Sequence, residues 1–233
     1  MPPKKDSGAS EAAPGYLGHR ERLRERFHAA PDALPDYELL EMLLGFTILR
    51  QDTKPKAKAL MEEFGTLGDV LSATPEQLAD AELSANTVAM LKSVQQAAQR
   101  LARSDVRKRG ALSSMDAVVD YCTVAMAYEP VEQFRVLYLD RKNGLIKDEP
   151  QQRGTVDHTP VYPREVVKRA LELSASAIII VHNHPSGDPE PSAADIEMTR
   201  QVQDACQKLG LVLHDHLVIG RGRHTSFRAK GLV

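Results

Sequence analysis

Tryptophan is absent from this 233-residue chain, and the aromatic residues together make up only 5% of it. So few rings leave no basis for the stacking platforms on which single-stranded nucleic acid is held. Cysteine is nearly absent too. Cys122 and Cys206 lie far apart with no His or Cys close by, so they make no disulfide framework and read as buried thiols. Excess charge of either sign is missing: 30 Lys+Arg against 32 Asp+Glu give a formal charge of −2, which excludes a globally basic nucleic-acid coat. Long apolar runs are missing as well. The best candidate, 177–181, is far short of the roughly 20 residues that span a bilayer, so no membrane role is expected. The opening MPPKKDSGASEAAPG has two lysines but no apolar stretch and does not read as a secretory signal. The expectation is a soluble cytoplasmic protein.

The residues that are present fall into two parts. Residues 1–17 are Pro, Gly, Ser, Ala and Lys with little to bury, and are expected to form a disordered tail. From 18 to 103 the pattern is helical. Leu39, Leu40, Met42, Leu43 and Leu44 form one apolar block; Ala59, Leu60 and Phe64 precede Gly65, a helix stop. Thr74 followed by Pro75 opens another helix, with Thr as N-cap and Pro in its first turn. The polar stretch 104–110 reads as a linker. Beyond it, 111–233 mixes strands and helices: 134–139 is a strand, Asn143-Gly144 a hairpin turn, 177–181 a fully apolar strand, and 211–219 another. A small all-α domain followed by an α/β (α+β) domain is the fold class.

Chemistry concentrates at the end of the 177–181 strand. His182-Asn183-His184 leads into Pro185-Ser186-Gly187, and Asp195 follows eleven positions after His184, three after Ser192. Histidines at i and i+2 share one face of a strand. Two imidazoles and a carboxylate are a ligand set for catalytic zinc, with the fourth position left to water. Ser192 and Asp195 also read as an N-capping box. The second pair, His214 and His216, lies inside an apolar strand with no acid after Asp215, and reads as structural. The His-x-Glu with Pro-Cys-x-x-Cys pattern of zinc deaminases is absent.

The string HNHPSGDPEPSAAD, preceded by GTVDHTPVYPREVVKRAL and followed by DHLVIG, resembles the RadC family, whose His-x-His-Pro and Ser-x-x-Asp are the JAMM motif of JAB/MPN metalloproteases. The resemblance implies a JAB/MPN, cytidine-deaminase-like fold for 111–233 and one zinc per chain on His182, His184 and Asp195. It implies that Ser192 helps stabilise an oxyanion and that Glu132, just before the 134–139 strand, is the general base, with Glu129 as a nearby competitor. The implied activity is hydrolysis of a peptide or isopeptide bond in a protein or amide-conjugate substrate. The alternative is a DNA-associated repair factor of RadC type. Such families carry a helix-hairpin-helix-like N-terminal region, but the hairpin expected at 81–87 has no glycine, and 18–110 holds 14 basic and 14 acidic residues. Lys54, Lys56 and Lys58 form the best basic patch for nucleic acid.

Overall fold

The computed structural model describes residues 15–109, 115–153 and 161–233. The chain divides into two units, 1–92 and 93–233. In the first, α1 (Gly15–Ala29) begins inside the expected tail, whose residues 1–14 lie outside the described ones. A short turn leads to α2 (Asp36–Thr47), α3 (Lys54–Phe64), α4 (Leu67–Ser72), α5 (Pro75–Asp80) and the start of α6 (Ala85–Arg109), whose residues from 93 on belong to the second unit. Local chemistry sets the breaks. Gly65 takes φ 106° and its N–H bonds Met61, ending α3. Thr66 with Asp69, and Thr74 with Gln77, form reciprocal capping boxes at the starts of α4 and α5. Leu40, Leu44, Leu60, Val70, Leu78 and Leu91 fill the core. Between α5 and α6 the turn uses Glu82 at φ 59°, so it reaches the left-handed region without glycine.

The expected linker is a correction. Residues 104–109 continue α6, because the stretch contains no helix breaker and Val106 is fully buried. A further helix, α7 (Met115–Met126), was not anticipated, although Val118, Tyr121, Cys122 and Met126 recur at the spacing of a buried helix face.

The second unit is built on a five-stranded sheet of order β2-β1-β3-β4-β5. Its strands are β1 (Gln133–Leu139), β2 (Leu145–Arg153), β3 (Ala177–Asn183), β4 (Val212–Ile219) and β5 (His224–Ser226). Only β3 and β4 run parallel, joined through α9 (Ala193–Lys208); α8 (Pro163–Glu172) precedes β3. The β1–β2 hairpin turns where expected, with Asn143 at φ 60°. Helices cover both faces, which is why 177–181 is apolar throughout rather than alternating. Ile179 and Val181 pack with α7, while Ile178 and Ile180 pack with α8 and α9. The alternation carries on into the site: His182 faces α9 and Asn183 the opposite side. Cys122 and Cys206 are both buried, and burial pushes the Cys206 thiol up to about 11. No helix among the described residues is long and apolar enough to cross a membrane.

Candidate metal centre

β3 delivers His182 at its end, and the His184 N–H bonds the Ile219 carbonyl, which carries the second histidine on from the sheet edge. The chain then turns away through Gly187 at φ 85°. Gly220 lies against this turn so closely that a Cβ there would sit 2.3 Å from the Gly187 carbonyl oxygen. Asp195 arrives on the first turn of α9. Ser192 caps that helix by the expected box: its Oγ accepts from the Asp195 N–H at 3.2 Å, and its own N–H and hydroxyl donate to Asp195 Oδ2 at 2.7 and 2.6 Å. The cap and the candidate ligand are therefore one arrangement. The cap occupies Oδ2 and leaves Oδ1 turned toward His182, 3.5 Å from its Nε2.

The three side chains converge. His182 Nε2 lies 3.0 Å from His184 Nε2, and His184 Nε2 lies 3.7 Å from Asp195 Oδ2. All the ligand atoms fall within 4.8 Å of one another. Tetrahedral zinc with bonds of about 2.0–2.1 Å holds its ligand atoms about 3.3 Å apart, so these separations bracket that geometry.

Hydrogen bonding fixes which nitrogens are bare. The Thr199 hydroxyl donates to the Asp195 carbonyl at 2.5 Å, so its oxygen accepts from His216 Nδ1–H at 2.6 Å. Burial holds His216 neutral, pushing its pKa well down, which leaves Nε2 as an acceptor. That nitrogen accepts from His182 Nδ1–H at 2.7 Å, a bond that leaves the His182 Nε2 as the position for a lone pair in the neutral ring. His184 donates Nδ1–H to the Asp188 carbonyl at 2.7 Å, so neutral His184 also presents a bare Nε2. Two lone pairs 3.0 Å apart beside a carboxylate repel unless a cation, metal or proton, lies between them. The residues present fit a divalent metal. His216 and Thr199 are the supporting residues that the sequence reading did not assign. Ring nitrogens on metal ligands characteristically carry such partners on their far side.

The His214–His216 pair, read as structural, divides. A β-bulge between Leu213 and Asp215 gives β4 one extra residue at His214. His214 bonds Asn143 in the hairpin, while His216 reaches the centre. Buried Asp215 is structural, accepting from Ser226 and from the Arg228 N–H.

Glu132 lies in the loop entering β1, close enough to His184 for its charge to raise the imidazole's pKa. The competitor Glu129 is turned to Gln133, whose Nε2 it accepts at 3.0 Å. Asn183 ties this loop to the histidines: its Oδ1 accepts the Gln133 N–H at 2.8 Å, and its Nδ2 donates to the Val131 carbonyl. The three lysines do not form one surface. Lys54 and Lys58 sit over the Tyr37 ring, whereas Lys56 is 3.7 Å from Glu82. An i,i+2 spacing on a helix separates side chains that an i,i+4 spacing aligns.

His184 is raised above the ordinary histidine value by its hydrogen bond to Asp195, with burial opposing. Asp195 is held far below the carboxylate range: burial pushes it up, but its bonds to His182 and His184 outweigh that. A metal-free centre therefore binds a proton where the metal would sit, and this ion pair is lost as pH rises through the His184 pKa. Metal binding must displace that proton. Affinity is expected to fall by about tenfold per pH unit below the His184 pKa and to level off above it. Calorimetry in buffers of different ionisation enthalpy checks this; uptake without proton release contradicts it.

A sheet with helices on both faces and a His-x-His strand end answered by a helix-borne carboxylate defines a JAB-type domain. The family profile described as RadC-like JAB domain matches residues 112–232. The chain is 62% identical to a UPF0758 protein of Rhodobacter capsulatus, over 91% of this chain and all of that one. It is 56% identical to a UPF0758 protein of Ruegeria pomeroyi, over 94% of this chain and 99% of that one. The chain belongs to the RadC-like UPF0758 family.

Proposed function

We propose that this protein is a zinc-dependent hydrolase of peptide or isopeptide bonds, with one zinc per chain held by His182, His184 and Asp195. The observation that carries the reading is the convergence of two bare imidazole nitrogens and a capped carboxylate on one point. Zinc, when bound, supplies a Lewis acid that acidifies water to a pKa of about 7 and polarises a carbonyl. Glu132 takes a proton from the attacking water and delivers it to the leaving nitrogen. Ser192 holds Asp195 in place at rest, and its hydroxyl is the donor nearest the ligand carboxylate for a developing oxyanion. The substrate is a protein or amide conjugate.

The test is a screen of fluorogenic peptide and isopeptide-linked conjugates with the zinc-loaded full chain, run beside a chelated sample. Cleavage that is lost on chelation and restored by zinc is the expected result. Cleavage indifferent to chelation contradicts it.

A further inference from the structure

A second polar cleft lies within the sheet-bearing unit, on the face of β1 opposite the histidines. Phe134 stacks toward His182, and the next residue, Arg135, points the other way into the space under α6 and α7. The cleft has a volume of about 340 Å³. From α6 it is lined by Gln96, Gln99, Arg100 and Arg103, the i, i+3, i+4, i+7 stripe of one helix face. A helix normally turns an apolar stripe toward its domain, and α6 does so one turn later with Val106. Gln96 donates to Gln99 at 2.6 Å, and Arg100 and Arg103 bring two positive charges to the cleft beside them.

Among the described residues no carboxylate bonds this stripe. Buried Asp148 is filled: Arg135 donates Nε to its Oδ1 at 3.0 Å and Nη2 to its Oδ2 at 2.7 Å, and the Tyr121 hydroxyl also donates to Oδ2. Glu129, the one acid lining the cleft, accepts from Gln133. Arg103 Nε is a buried donor with no acceptor among the described residues. A guanidinium cannot shed its proton, so a buried N–H of this kind calls for an acceptor from outside.

We propose that this cleft is an oxyanion site that takes a phosphate group between Arg100, Arg103 and Arg135. Asp148 shows how a carboxylate is satisfied here, by one guanidinium fork and one hydroxyl. Guanidinium groups arriving from two elements, beside glutamine amides, suit a tetrahedral ion with more oxygens to offer. The site is separate from the metal centre and independent of the hydrolase reading.

The test titrates inorganic phosphate into the ¹⁵N-labelled full chain at constant ionic strength, following the arginine Nε–H and glutamine side-chain amide signals. Saturable shifts of the Arg103, Gln99 and Gln133 signals are expected, weakened at least tenfold in Arg100→Gln/Arg103→Gln and unchanged in Arg24→Gln, a change at an exposed arginine of α1 in the other unit. Arg100 is exposed, so the single Arg100→Gln variant keeps the test open should the double variant not fold. A nucleoside monophosphate titrated in parallel separates the sources: tighter binding than inorganic phosphate points to a phosphorylated molecule, equal binding to the free ion. Non-saturating shifts, equal binding by the arginine variants, or saturation by acetate at the same concentration would overturn the proposal.

Discussion

Glu132→Gln is expected to lower amide hydrolysis by about 100- to 10,000-fold while leaving zinc content unchanged. The range is that of a positioned general base removed from a proton-transfer step. Gln preserves the shape of the side chain but cannot accept a proton at neutral pH. Glu132 is not among the three converging groups, yet its charge reaches His184, which places it within electrostatic range of the centre. Its backbone position is secured by Asn183, which bonds the loop on both sides of it. Steady-state rates on whichever substrate the screen yields, together with elemental analysis of the same samples, check the prediction. A variant that loses zinc as well as activity would show Glu132 to be a ligand; one that keeps full activity would remove it from the mechanism.

His216→Phe is expected to weaken zinc binding by about 10- to 100-fold, the usual consequence of removing the partner behind a metal-bound imidazole. Phe retains the contact that the His216 ring makes with Phe227, at 4.3 Å between centroids, so packing is largely kept. What it loses is the acceptor for His182 Nδ1–H, and with it the preference for a bare Nε2. Thr199→Val removes the hydroxyl that sets the His216 tautomer and should weaken zinc similarly, whereas Thr199→Ser should restore it. Rescue by serine separates tautomer control from simple packing, because serine keeps the oxygen and loses the methyl. Competition with a chelating fluorophore gives the affinities. Unchanged zinc binding in both His216→Phe and Thr199→Val would break the chain of inference.

The three residues that converge were legible in the sequence because each carried a local signature. His182 and His184 stand where an apolar strand gives way to Pro185 and Gly187, and Asp195 stands in a capping position that also aims its carboxylate. His216 was not legible, since a bulge one residue wide decides which member of the 214–216 pair faces α9, and bulges leave no mark on hydrophobic periodicity. The stretch 104–109 misled by its charge. Polar residues on a helix look like polar residues in a linker, and only Val106 reports that a core lies beneath. The helix α7 was legible in its Val118, Tyr121, Cys122, Met126 spacing but was obscured by the change of composition before it. The arginine cleft is assembled from three successive elements, α6, α7 and β1, and only their packing brings its arginines to one space.

The proposed chemistry depends on His182, His184 and Asp195 holding one zinc ion. Zinc content per chain, measured by elemental analysis after loading and desalting, tests it for the wild type and His184→Ala side by side. About one zinc is expected in the wild type and close to none in the variant, with both folded. No zinc in the loaded wild type, or full zinc in His184→Ala, would contradict it.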